Sequence, residues 1–101
     1  MVIEQALLEK IKTSIRISHN ALDLEVVDNI QAAVQDLRIH GITHAELPDP
    51  LILNAVKLYV KAEYTDDQEK AGTYRQRYKE LRDYLKSAEG YGWIDEVAAG
   101  E

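Results

Sequence analysis

The chain has 101 residues, of which 46% are hydrophobic, with a formal net charge of -6 at pH 7 and no cysteine. This length provides one domain with a single core, and this composition excludes wholesale disorder. The absence of cysteine excludes a disulfide framework and thiolate chemistry. The negative charge disfavours tight binding of duplex DNA, because phosphates are bound by clustered Lys and Arg. No apolar run approaches the roughly 20 residues that cross a bilayer, so we expect no membrane association.

Hydrophobic residues recur with the 3.6-residue period of an α-helix in four segments. These segments predict helices over about residues 4–15, 21–40 and 50–64, and a fourth that ends at about residue 87 and whose start is not fixed, because Gly72 weakens its first turns. Gly41 is placed to end the second helix in a left-handed conformation. Asp49 and Pro50 are a strong start signal for the third, because Asp caps free amides and Pro fits the first turn.

Two further helix starts are predicted from capping boxes, in which a polar side chain and an acid three residues later bind each other's backbone. Asn20 with Asp23 is expected to cap the second helix, and Asp66 with Glu69 the fourth. The third helix is apolar nearly all round, which predicts that it is surrounded either by its own domain or by neighbouring subunits.

The predicted fold class is all-α: a compact bundle of about four helices formed by residues 1–90 as a single domain. A short irregular acidic tail is expected over residues 91–101, because the helical period stops at Gly90. Residues 88–101 carry four acidic side chains and no basic one, so the acidic charge is concentrated in this part of the chain.

The sequence favours a binding protein over an enzyme. It contains no phosphate-binding loop, dinucleotide fingerprint, nucleophile elbow or HExxH motif. His40 and His44 are four residues apart, the spacing of paired metal ligands on a helix, but Gly41 is expected to end the helix between them. We therefore expect no catalytic residue, no cofactor and no metal site.

Four basic residues on the fourth helix recur at helical spacing: Arg75, Lys79, Arg82 and Lys86. This basic stripe is either a solvated surface or a contact with an acidic surface of a neighbouring subunit or with a phosphate backbone. Tyr84 lies off the apolar positions of the same helix and is a candidate exposed contact, because tyrosine is enriched at protein interfaces. We treat these five residues as a candidate subunit interface.

The tail contains three apolar residues among its acids, Tyr91, Trp93 and Ile94. An acidic segment with one aromatic anchor suits docking onto a partner protein. The alternative is that these residues fold back onto their own bundle.

The order of segments resembles that of the small phage head–tail connector family, also described as DNA-packaging or head-completion adaptors. The matching stretches are LEKIK at 8–12, IRISH at 15–19, DPLI at 49–52, LYVKA at 58–62, YKEL at 78–81 and SAEGY at 87–91. They span about residues 7–91, with a loose correspondence over residues 68–73. Each stretch alone is ordinary helical sequence, and their order and spacing carry the resemblance.

The resemblance implies a virion structural protein of phage or prophage origin, made in the bacterial cytoplasm and located at the head–tail interface. Its copies form a homo-oligomeric ring, a dodecamer, which docks on the portal protein and contacts the stopper or tail-completion protein. The ring extends the DNA channel and completes the head after packaging, so DNA passes through without sequence-specific binding. The acids expected to face that channel are Glu63, Asp66, Asp67 and Glu69.

A second hypothesis from the residues is a small prophage or host regulator that acts by binding one protein partner. The missing basic recognition helix argues against direct reading of DNA but leaves this hypothesis open. A ring in solution favours the connector, whereas a stable dimer favours the regulator.

Overall fold

A computed structural model describes residues 3–88 of the chain. Within that range the protein is a bundle of four α-helices with no strand: α1 (Gln5–Ser14), α2 (Asp23–Ile39), α3 (Pro50–Tyr64) and α4 (Gln68–Ser87). The all-α prediction is therefore confirmed. The predicted tail, residues 91–101, lies outside the described residues.

The strongest predicted helix signals form as expected. Asp49 Oδ1 accepts hydrogen bonds from the backbone amides of Leu51 at 2.9 Å and Ile52 at 3.2 Å. These bonds satisfy two of the amides that the first turn of α3 leaves without partners. Gly41 has a φ of 96°, the left-handed conformation predicted just after α2.

Both predicted capping boxes are wrong. The residue before α4 that caps it is Asp67, whose carboxylate accepts from the amides of Glu69 at 2.9 Å and Lys70 at 3.1 Å. Helix α2 begins after Leu22 without a side-chain cap. Asn20 does not cap α2 because its carbonyl oxygen accepts instead from Lys12 Nζ at 2.9 Å.

Helix α3 occupies the centre of the bundle and packs against α1, α2 and most extensively α4. The bundle itself therefore covers much of α3, while Leu51, Leu53, Leu58 and Tyr59 remain partly exposed. The core consists of residues from all four helices and from the loop after α2: Leu8, Ile11, Val26, Ile30, Ala33, Val34, Leu37, Ile42, Ala45, Ile52, Ala55, Val56, Val60, Tyr78 and Leu85. Burial of this apolar surface is the main force that holds the helices together.

One lysine is buried with this core. Lys12 lies on the apolar side of α1 and its side chain has no exposed area. Its Nζ lies 2.8 Å from Asp23 Oδ1 and 3.6 Å from Glu9 Oε1, in addition to its bond to Asn20. The pKa of Lys12 is raised, because the bond to Asp23 outweighs the opposing effect of desolvation. Lys12 thus ties α1 to the start of α2.

Helix α1 ends at a backbone position that favours glycine. Arg16 has a φ of 60°, and Ile17 donates its amide to Lys12 O at 3.0 Å across the helix end. This pattern is a left-handed helix terminus, normally occupied by Gly or Asn. A residue with a side chain there costs about 1 kcal/mol or more. The left-handed conformation of Arg16 is therefore less favourable than that of a glycine.

Candidate interaction surfaces

The residues predicted as a subunit interface all lie on α4, but on two different sides of it. Arg75, Lys79 and Lys86 are exposed along one side. Tyr84 is 60% exposed and follows Arg75 by nine residues, which is roughly half a turn away around the helix at about 100° per residue. The stripe and Tyr84 therefore belong to separate surfaces.

Arg82 differs from the other stripe residues because it joins an internal polar cluster. Its side chain is only 17% exposed, and its Nη1 lies 3.3 Å from Asp36 Oδ2 on α2. Tyr78 Oη donates to the same oxygen at 2.6 Å. The guanidinium carbon of Arg82 also lies 5.6 Å from the centroid of the Tyr78 ring, within the range of a cation–π contact. These three residues form what we call the Asp36 cluster.

The Asp36 cluster links two helices that otherwise pack little on each other, since α4 packs mainly on α3. Tyr78 also contacts Tyr59 of α3 edge-to-face, with ring centroids 5.4 Å apart and planes at 71°. Asp36 was not among the predicted site residues. Its contact with Tyr78 spans 42 positions in the chain, so no local pattern indicates it.

Among residues 3–88 three tyrosines have a raised pKa, namely Tyr59, Tyr64 and Tyr78, and burial is the largest cause in each. For Tyr78 the bond to Asp36 raises the pKa further, because it stabilises the protonated phenol as a donor beside a carboxylate. These phenols stay protonated at neutral pH, where Tyr78 donates a hydrogen bond to Asp36 and Tyr64 accepts one from Asn29.

A cavity of about 200 Å³ opens beside the Asp36 cluster. Its lining includes Arg75 and Lys79 of the predicted stripe and Glu63 of the predicted channel acids. No ion pair joins Glu63 to either base in residues 3–88. Arg82 Nε is buried and has no hydrogen-bond partner in the same part of the chain. The cavity therefore has charged groups of both signs that remain available to a partner.

The other predicted channel acids lie at the turn between α3 and α4. Asp66, Asp67 and Glu69 are all exposed there, as is Glu63 near the end of α3. Asp67 is also used to cap α4. The candidate docking residues of the tail, Tyr91, Trp93 and Ile94, lie outside the described residues.

The histidines show no metal-binding arrangement. His40 Nδ1 lies 2.8 Å from the backbone oxygen of Asp36 at the end of α2. Across residues 3–88 no group of three or more His, Asp or Glu side chains converges in a way that would hold a metal ion. Helices long and apolar enough to cross a membrane are also absent from this range.

Few large apolar side chains are exposed within residues 3–88. Besides Tyr84 they are Leu24, at 84%, and Ile39, at 70%, both on α2. Their separation of 15 positions places them roughly 22 Å apart along the helix. Singly exposed apolar residues are normal on a protein surface, so they do not form a contiguous apolar patch.

The comparisons with known proteins find no match: no protein family model, curated protein or solved structure matches this chain.

Proposed function

We propose that the protein is a head–tail connector subunit, a structural component of a phage or prophage virion. In this proposal its copies form a ring that docks on the portal, extends the DNA channel and completes the head after packaging. The observation that supports it best is the exposed side of α4. Arg75, Lys79 and Lys86 lie there in an acidic protein, and none forms an ion pair within residues 3–88.

A closed ring needs two different faces on each subunit, because every copy contacts its neighbours head to tail. The basic side of α4 supplies one candidate face. The complementary face needs acids on another side of the subunit, and Glu63 does not supply them because it lines the same cavity as Arg75 and Lys79. Pairing of opposite charges across such a contact speeds and orients assembly more than it strengthens it.

The cavity beside the Asp36 cluster gives this face a concave site that could receive a side chain of the neighbouring subunit. Arg82 Nε is a buried donor without a partner, and a buried donor left in that state typically costs 1–3 kcal/mol. A carboxylate from a neighbouring subunit can contact the exposed Arg75 and Lys79, whereas Arg82 Nε has no accessible surface and is not reached without movement of its side chain. We therefore assign the face to Arg75, Lys79 and the cavity between them, with Arg82 as its inner wall.

The remaining acids suit a channel lining. Asp66, Asp67 and Glu69 cluster at the turn between α3 and α4. A DNA duplex that slides through a ring is not retained by a lumen of like charge. We expect the free protein to have negligible affinity for duplex DNA at about 150 mM salt, because a net charge of -6 cannot replace counterions on phosphates. Sub-micromolar binding at that salt would contradict the channel role.

The tail completes the proposal as a portal-docking segment with Trp93 as its anchor. Removing residues 91–101 should weaken binding to the portal while the helical circular dichroism and melting temperature stay unchanged. Equal portal affinity with and without the tail would exclude this role. A large fall in melting temperature would indicate instead that the tail stabilises its own bundle.

Assembly is tested by reversing charge on the proposed face. The variant R75E/K79E should impair ring formation, on its own or on the portal, and remain folded. The variant K10E/R77E makes the same change in charge at exposed positions elsewhere and serves as the matched control. Native mass spectrometry and electron microscopy with the portal measure the outcome. Intact rings in R75E/K79E would exclude this face.

The same measurements separate the connector from the regulator. A stable dimer that forms no ring even with the portal present would favour the small prophage or host regulator that binds a single protein partner. The scattered positions of Leu24 and Ile39 give no specific support to such a dimer.

A further inference from the structure

A second cavity, of about 290 Å³, lies where the ends of α1 and α3 meet the first turns of α4. Three of its lining residues are basic, namely Arg16, Lys61 and Lys70, and none is acidic. The whole chain has 18 acidic and 12 basic residues. Three cations around one concavity, without an acid, repel one another unless an anion or water screens them.

The donors of this cavity are free of internal partners. Within residues 3–88 the three basic side chains form no ion pair and no hydrogen bond, and Lys61 Nζ only stacks over the Tyr74 ring at 5.4 Å from its centroid. Tyr64 also lines the cavity, and its Oη accepts a hydrogen bond from Asn29 Nδ2 at 3.1 Å. Burial raises the pKa of this phenol, which keeps the proton in place.

Arg16 is held at the cavity by the left-handed end of α1, where its φ is 60°. Glycine adopts that conformation without the steric cost that arginine incurs. The backbone therefore does not require an arginine at this position. Arg16 lines the cavity, and a guanidinium is suited to bind two oxygens of a phosphoryl group at once.

We propose that this cavity binds the phosphoryl group of a small phosphorylated molecule. Arg16 supplies paired N–H donors, and Lys61 and Lys70 supply charge. The volume is at the lower end for ligand pockets, which begin at roughly 300 Å³. It admits a phosphoryl group with a small substituent.

A purely structural explanation of the same residues makes a different prediction. Helices α1 and α3 end here, and the partial negative charge of a helix C-terminus is stabilised by nearby cations. If that were the whole role of Arg16 and Lys61, their removal would lower stability and leave anion binding unchanged.

The test is calorimetric titration of the full chain with pyrophosphate and with inorganic phosphate, at constant ionic strength, with chloride and sulfate as competing anions. Arg16→Gly and Lys61→Gln are compared with Lys10→Gln and Arg77→Gln, which remove one exposed charge elsewhere. A short duplex DNA is titrated in parallel to distinguish the phosphates of a nucleic-acid backbone from those of a small molecule.

We expect saturable binding of pyrophosphate that sulfate displaces poorly. Each of R16G and K61Q should weaken it about tenfold or more, as the loss of a charge-assisted hydrogen bond does. The control variants should bind as the parent does, and R16G should melt no lower than the parent. No binding at millimolar pyrophosphate, or equal affinity in R16G, K61Q and the parent, would overturn the proposal. Duplex DNA that binds more tightly than pyrophosphate and depends on the same residues would overturn the assignment to a small molecule.

Discussion

The Asp36 cluster offers a direct measure of what holds α4 against α2. Tyr78→Phe removes the hydroxyl that donates to Asp36 Oδ2 at 2.6 Å and keeps the ring against Tyr59. Because the ring volume is unchanged, no cavity forms and the loss is that of one hydrogen bond. Hydrogen bonds to charged groups contribute about 1.5–3 kcal/mol.

The lower end of that range applies here. The Asp36 side chain is 29% exposed and still has Arg82 Nη1 at 3.3 Å after the change, so its charge is not left without a partner. We expect Tyr78→Phe to lower the free energy of unfolding by about 1.5 kcal/mol. For a domain of this size that is a fall in melting temperature of about 6–12 °C.

The measurement is urea unfolding of the parent, Y78F, D36A and the double variant. The double-mutant cycle should give a coupling free energy of about 1 kcal/mol between Tyr78 and Asp36. Tyr84→Phe, at an exposed position of the same helix, is the matched control and should stay within about 0.5 kcal/mol of the parent. A coupling near zero would refute the inference that this bond contributes to the α2–α4 contact.

Three further predictions follow from the core, the caps and the raised pKa values. Leu85→Ala should lower the free energy of unfolding, measured in urea, by about 2–5 kcal/mol, whereas Leu24→Ala should leave it nearly unchanged. Equal destabilisation by the two substitutions would mean that the core is wrongly assigned. Asp67→Ala should cost about 1 kcal/mol and Asp66→Ala almost nothing, and the reverse order would restore Asp66 as the cap. Above about pH 10 the tyrosines and Lys12 of the unfolded chain lose their protons. In the folded chain the tyrosines with a raised pKa and Lys12 keep theirs to higher pH. Unfolding free energy should therefore fall with rising pH there, and Y78F should flatten the fall; a flat profile in the parent would contradict the raised pKa values.

The number and order of the helices were predictable because each rests on local signals. The 3.6-residue period of apolar residues predicted the four helices. Asp49 predicted the start of α3 by capping its first amides, and Gly41 predicted the end of α2 by its left-handed conformation. The capping boxes failed because the same signals have competitors nearby. Asp67 is adjacent to Asp66 and caps in its place, and Asn20 is engaged by Lys12.

The candidate site was less predictable because its contacts are distant in sequence. The basic spacing on α4 located Arg75, Lys79 and Lys86 on one exposed side, but it could not show that Arg82 turns inward to Asp36 on another helix. Lys12 did have a local signal, since it follows Leu8 by four residues on the apolar side of α1. Arg16 had none, because the sequence there lacks the Gly or Asn that usually indicates a left-handed helix end.

The two cavities separate two roles for basic residues in an acidic chain. Beside the Asp36 cluster, bases and the acid Glu63 line the same concavity, so the site suits a protein surface that itself carries both charges. At the ends of α1 and α3 the lining has bases and no acid, so the site suits a compact anion. Charge reversal at Arg75 and Lys79 should therefore affect assembly without changing pyrophosphate affinity, and Arg16→Gly should do the opposite. Loss of both properties in either variant would mean that the two surfaces are coupled, and the separation of roles would be wrong.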